Sequence, residues 1–169
     1  MTDFQAIYER YAQDVYRFAL YLCGDPTLAE DIASETFVRL WAADEPVRMQ
    51  TVKAYLFAIV RHLCIDQHRA RKRRVEIDPE LPEPGLSPEM RAHYKSELRA
   101  VLQLLQDLPE VDRAAILMRA QHGMPYEEIA RVLNVSVAAV KVKIHRTRLK
   151  LAAARKYASP DKQSVGGVQ

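Results

Sequence analysis

The side chains best placed to do chemistry are cations, and the chemistry they suit is ionic binding rather than bond making. From Lys141 to Lys156 the chain carries seven basic residues, Lys141, Lys143, Arg146, Arg148, Lys150, Arg155 and Lys156, with His145 among them and no acid. Lysine and arginine concentrated in this way neutralise phosphates and release condensed counterions, which makes binding strong and salt-dependent. A second block, Arg61 to Arg74, holds Arg61, Arg69, Arg71, Lys72, Arg73 and Arg74 against the single acid Asp66. Between the blocks, Val75 to Met90 carries Glu76, Asp78, Glu80, Glu83 and Glu89 and no base. The net charge is only +3, so the sorting of charge along the chain, not its total, shapes the field.

Covalent chemistry has no comparable support. The five glycines, Gly24, Gly85, Gly123, Gly166 and Gly167, build no phosphate-cradling loop. Cys64 and His68 stand one helical turn apart with His62 near, which falls short of a structural zinc set. No nucleophile, base and orienting group can be assembled. The expectation is a binding protein rather than an enzyme, with no cofactor and no metal. Cys23 and Cys64 sit in apolar helical patterns, so reduced core cysteines are expected. No apolar run reaches the ~18–20 residues of a membrane span, and the N-terminus lacks a signal layout. A cytoplasmic protein without membrane insertion is the corresponding expectation.

The elements that must position these residues read as helices throughout. Phe4, Ile7, Tyr8, Tyr11, Val15, Phe18 and Leu22 recur at spacings of three and four until Gly24. Asp25-Pro26 restarts a helix, with Asp25 as cap and Pro26 in the first turn, running to about Ala43. A third helix begins near Thr51, packs through Val52, Leu56, Ile59, Val60 and Leu63, and turns basic after Asp66. Residues 75 to 88 hold four of the nine prolines and no helical period, which predicts an extended acidic linker. Helices follow over Pro88–Gln106, Pro109–His122, Pro125–Leu133 and Ser136 to about Tyr157. The small polar tail from Ala158 onward is expected to be disordered. The predicted fold class is all-α. Two small helical domains, 1–74 and 89–157, are joined by the acidic Pro-rich linker 75–88 and followed by the tail 158–169.

The sharpest local signal lies in the second domain. A short helix from Tyr126 to Leu133 meets a turn at Asn134-Val135, and Ser136 can cap the next helix. Asparagine accepts left-handed backbone angles at low cost, which suits a reversal this tight. Ile129, Ala130, Leu133, Val135 and Val140 are spaced to form the small core between the two helices. This is a helix-turn-helix pattern, whose second helix enters the DNA major groove. Ser136, Lys141, Val142, Lys143, His145, Arg146 and Arg148 are its candidate contacts, the earlier ones for base edges and the later arginines for phosphates.

Three further motifs carry a family resemblance. Leu28-Ala-Glu-Asp-Ile-Ala-Ser-Glu-Thr-Phe-Val-Arg-Leu-Trp41 resembles regions 2.1–2.2 of extracytoplasmic-function sigma factors, the small group-4 members of the sigma-70 family. Val52 to Arg69 with the basic run after it resembles regions 2.3–2.4. Leu105 to Arg119 and Tyr126 to Ala130 resemble region 4. The likeness spans about residues 4–74 and 90–155 in the family's order.

The resemblance implies a sigma factor that brings core RNA polymerase to promoter DNA. Asp31, Glu35, Arg39 and Trp41 then meet the clamp helices of the polymerase largest subunit. Arg61, His62, Ile65, Asp66, Arg69 and Arg73 hold the opened −10 strand, and the helix-turn-helix binds the −35 duplex and the flap. An anti-sigma factor is the implied regulator, and the linker is implied to lie in the polymerase cleft. Some positions depart from the family pattern. His62 stands where asparagine is common, which bears on −10 preference, and Val142 stands where serine is frequent, which favours a thymine methyl. Ser34 and Pro125 are smaller departures. The rival reading is a helix-turn-helix regulator that never joins polymerase.

Overall fold

The computed structural model describes residues 4–44, 52–74 and 98–158, without the side chains of 71–74 and 156–158. All regular structure among these residues is helical. The linker 75–88, the tail from 159 onward and the side chain of Arg73 lie outside the described residues.

Helix α1 (Phe4–Cys23) buries Ile7, Tyr11, Val15, Phe18, Ala19 and Leu22, the stripe its spacing predicted. It ends because Gly24 adopts φ +77°, which lets its N–H donate to Leu20 O at 2.8 Å. Helix α2 (Pro26–Ala42) starts at once. The Asp25 carboxylate accepts from the N–H groups of Thr27 (2.9 Å) and Leu28 (3.2 Å), satisfying donors that the first turn leaves free. Helix α3 (Val52–Arg74) packs against both and buries Val52, Leu56, Phe57, Val60, Leu63 and Cys64. Phe18 of α1 stacks on Phe57 of α3 with ring centroids 4.3 Å apart, and both are fully buried.

The second half opens with a helical stretch over 98–106, here α4. Helix α5 (Glu110–Ile116) follows and continues into a π-helical turn, Leu117–Gln121, closed by Gly123 at φ +62°. Helices α6 (Tyr126–Leu133) and α7 (Val137–Ala158) form the helix-turn-helix. Asn134 takes the left-handed conformation (φ 55°, ψ 47°), and the Val135 N–H reaches back to Ala130 O at 3.1 Å. Ser136 caps α7, its Oγ accepting from the Ala139 N–H at 3.1 Å. Replacing Asn134 by valine is expected to cost about 1–2 kcal/mol of stability, because a β-branched residue resists positive φ. Asn134→Gly is expected to cost a few tenths at most, and denaturant midpoints of the two variants check the contrast.

The halves are docked against each other, and their buried residues form one continuous core. Helix α6 lies on α3, and the π-helical turn lies on α1. This docking brings His122 edge-on to Phe57 and Phe18, at centroid distances of 4.7 and 5.9 Å. The His122 carbonyl accepts from Lys53 Nζ at 3.2 Å, and its Nε2 is buried with no hydrogen-bond partner. Burial, with Lys53 nearby and Arg17 adding a smaller repulsion against the attraction of Asp14, lowers the imidazole pKa from 6.5 to about 4. The neutral ring is therefore the native form, while the unfolded chain takes up a proton below about pH 6.5. Stability is expected to fall as pH drops from about 6.5 towards 4 and to lose this dependence below that. A His122→Phe variant removes the slope, as urea midpoints across this pH range check.

The cysteines depart from expectation. Cys23 and Cys64 are joined as a disulfide, with Cα atoms 6.0 Å apart, rather than standing as separate reduced thiols. The end of α1 and the middle of α3 converge, a distance within the range such a bond spans. Apolar helical patterns identify both cysteines as interior but carry no information about their proximity.

Candidate functional site

Three surfaces gather the sequence-predicted residues. The first is on α7. Lys141, Val142, His145, Arg146 and Arg148 are all exposed, and the buried side of the helix is Val140, Ile144 and Thr147. Thr147 stays buried because its hydroxyl donates to the Lys143 carbonyl at 2.7 Å. Lys141 Nζ lies 5.6 Å from the centre of the Tyr126 ring, which also carries the Arg119 guanidinium at 4.3 Å. Lys143 differs from its neighbours: it is half-buried and reaches Asp112 Oδ1 at 3.7 Å, tying α7 to α5. Ser136 is occupied by capping.

The second surface lies at the outer ends of α1 and α2. Trp41 is 72% exposed and meets the Phe4 ring edge-on at 4.9 Å. Phe37 is buried beneath it, edge-on to Tyr8 at 4.9 Å. Val38 and Tyr8 are also exposed, so an aromatic and aliphatic patch stands open to solvent. Glu35 and Arg39 flank it as an exposed i,i+4 pair at 3.3 Å, and Asp31 is exposed one turn earlier. An apolar centre rimmed by carboxylates and a guanidinium fits a protein partner presenting arginine.

The third surface, on α3, is split by the docking of the halves. His62, Asp66 and Arg69 are exposed. Arg61 is not free. Its Nε and Nη2 donate to the two carboxylate oxygens of Glu110 on α5, at 2.7 and 2.9 Å. Ile65 faces the same junction and lines a small cavity with Glu110 and Arg113. A bidentate guanidinium–carboxylate pair is among the stronger polar contacts a protein makes. In this arrangement Arg61 is withheld from any other anion.

Several residues that hold this junction escaped sequence reasoning. Arg113 donates to three backbone carbonyls, Leu105 (2.8 Å), Leu108 (3.1 Å) and Leu22 (2.8 Å), the last across the junction. Its burial lowers its pKa from the ordinary value, against a smaller upward pull from Glu110. Gln106 Nε2 also donates to Leu22 O, at 3.1 Å. The carbonyl end of α1 is thus capped by side chains of the other half. A methyl group on Gly24 would come within 2.9 Å of Gln106 Nε2, so the glycine answers both to its φ and to this close approach. No local pattern announces Glu110 or Gln106 as partners of residues 49 and 84 positions away. Among the described residues no helix is long and apolar enough to cross a membrane.

Comparisons with known proteins agree with this geometry. A family model described as Sigma-70 region 2 matches residues 7–74, and one described as Sigma-70, region 4 matches residues 98–151. The ECF RNA polymerase sigma factor SigM of Bacillus subtilis is 32% identical over 149 residues, covering 87% of this chain and 91% of that protein. SigE of Mycolicibacterium smegmatis, another ECF sigma factor, is 34% identical over 157 residues, covering 89% of this chain and 61% of its own length. The present chain therefore spans under two thirds of that relative. The sigma factor RpoE of Bartonella quintana, solved in complex with the anti-sigma factor NepR, shares the fold with a TM-score of 0.73 at 23% identity, covering 96% of this chain and 100% of that one. The chain belongs to the extracytoplasmic-function sigma factors of the sigma-70 family.

Proposed function

We propose that this chain is an alternative sigma factor that directs core RNA polymerase to a particular set of promoters, assists opening at the −10 element, and is held in check by an anti-sigma factor. It acts by binding, in the cytoplasm, and makes no covalent change to its partners. Residues 1–74 form the polymerase and −10 domain, 75–88 the linker, 89–157 the −35 domain and 158–169 a tail.

The observation that carries this reading is the separation of two chemically different open faces on one folded chain. The α7 face is cationic and follows a built helix-turn-helix, which suits the −35 duplex through Lys141, Val142, His145, Arg146 and Arg148. Lys143 and Ser136 support that helix through Asp112 and the cap, with contacts to DNA added on binding. The Trp41 face is apolar with an acidic rim and suits the clamp helices of the polymerase largest subunit through Asp31, Glu35, Arg39 and Trp41. The −10 strand falls to Arg61, His62, Ile65, Asp66, Arg69 and Arg73, with cations drawing the backbone and an apolar surface receiving an unstacked base. The polymerase flap is the further partner of the −35 domain. Family membership is the reason for including an anti-sigma factor, and the Bartonella quintana relative of this fold binds one.

The docked arrangement fits a resting state. Arg61 cannot meet DNA while Glu110 holds it, so the halves must part before the −10 strand is read. Glu110→Gln removes the charge and one bidentate acceptor from a partly buried pair, worth on the order of 1.5 kcal/mol. It is expected to raise apparent affinity for core polymerase about tenfold by shifting the population towards the open form. Fluorescence titration of core enzyme checks this, and an unchanged affinity counts against a latched resting state.

Transcription from a randomised promoter library by core polymerase, with and without the reduced chain, tests the whole reading. The expected result is initiation enriched for common −35 and −10 sequences. Initiation at core background, with specific duplex binding by the chain alone, instead identifies a regulator that never joins polymerase.

A further inference from the structure

We propose that Cys23 and Cys64 are a reversible thiol–disulfide site that latches the two halves in their docked arrangement. The bond ties the last residue of α1 to the middle of α3, and it lies between two of the polar clasps across the junction. Leu22, next to Cys23, offers the carbonyl that Gln106 and Arg113 share. Arg61, one helical turn before Cys64, holds Glu110. Joining the cysteines therefore fixes the acceptor of one clasp relative to the donor of the other. Both cysteines belong to the first half, so the bond acts on the junction through this alignment, which in the reduced chain rests on the packing of α1 against α3 alone.

The site is also reachable and chemically equipped. A cavity of about 80 Å³ is lined by Cys23, Cys64, His68, Gln106, Glu110 and Arg113. A water occupies about 30 Å³ of liquid, so a molecule the size of hydrogen peroxide can be accommodated. A guanidinium and a carboxylate, Arg113 and Glu110, share this lining with the two sulfurs, and the thiolate is the nucleophilic form of a cysteine. One thiolate attacks a peroxide oxygen, the O–O bond breaks, and the sulfur becomes a sulfenic acid as the first water leaves. The second thiol displaces the sulfenic oxygen as a second water and forms the S–S bond. Two electrons and two protons have passed to the peroxide. A dithiol reductant reverses the change by thiol–disulfide exchange and ends as its own disulfide.

The inference rests on the polymerase-directing reading for its compartment. Where DNA is transcribed, thiols are kept reduced, and a disulfide that forms there is transient, catalytic or sensing rather than a permanent brace. Among the described residues no catalytic set stands beside the pair, and a sensing role is the one the latch geometry suits. Oxidation holds the chain shut, and reduction releases it.

The test uses the full chain in three states: reduced, treated with hydrogen peroxide, and treated then reduced with dithiothreitol. Each is measured by thiol count and intact mass, by amide hydrogen exchange over 20–24 and 105–113, and by promoter-directed initiation with core polymerase. The expected result is loss of both thiols within one chain, slower exchange in both segments, and initiation at least about fivefold lower, all restored by dithiothreitol. A Cys23→Ser, Cys64→Ser double variant of unchanged helicity keeps the reduced level in peroxide. Equal exchange in oxidised and reduced wild-type chain overturns the latch, as does an equal peroxide response in the double variant. If that variant does not fold, the two wild-type states decide the matter alone. Should neither state initiate, the polymerase reading fails, while the exchange comparison still judges the latch.

Discussion

Replacing Trp41 by alanine is expected to weaken association with core RNA polymerase by about thirtyfold while leaving the fold nearly intact. The effect depends on where the side chain stands. At 72% exposure Trp41 buries little in the free chain, and its edge contact with Phe4 is worth on the order of 1 kcal/mol. An exposed tryptophan at the centre of an apolar patch, rimmed by Asp31, Glu35 and Arg39, has the composition of a binding hot spot. Truncating such a residue costs about 2 kcal/mol or more of binding, which is about thirtyfold in affinity. Phe37, one helical turn away, is the control. It is buried, so its truncation acts through folding and not selectively on binding. Surface titration against core enzyme, with thermal unfolding in parallel, separates the two cases.

The second large effect concerns α7. The triple variant Lys141→Ala, Arg146→Ala, Arg148→Ala is expected to reduce affinity for −35 duplex DNA on the order of a hundredfold at physiological salt. The slope of log affinity against log salt is expected to fall by about three, one unit for each phosphate no longer neutralised. All three side chains are exposed, and alanine is a strong helix former, so the helix itself should persist. Lys143 is left out because its reach to Asp112 braces the domain, and replacing it confuses stability with binding. Binding by the full chain in complex with polymerase, measured at several salt concentrations, reads both quantities. An unchanged slope excludes this face as the duplex contact.

These effects draw on features that differ in how plainly residue order announces them. The α1 stripe, the Asp25-Pro26 restart, the left-handed Asn134 and the Ser136 cap are local, since each depends on side chains within a turn or two. Short-range stereochemistry acts on them directly, and the helix-turn-helix with its outward cations follows. The exposure of Trp41 above a buried Phe37 was harder to read, because both are apolar and their fates diverge only when α1 packs on α2. The junction was out of reach. Glu110 lies in the first turn of α5, where acids are common, and Arg113 in its last, where bases are common, and nothing nearby says that Arg61 or Leu22 O will meet them. The same holds for Cys23 and Cys64, and for His122, whose low pKa arises from rings and charges contributed by α1 and α3. Non-local contacts of this kind emerge from how two helical units dock, not from any period along the chain.

Co-elution of the reduced chain with core RNA polymerase in the absence of any inhibitor is the most direct measurement. A one-to-one complex, weakened in the Trp41→Ala variant and strengthened in Glu110→Gln, is the expected result. A chain that elutes alone in all three forms, while still binding duplex DNA, contradicts it.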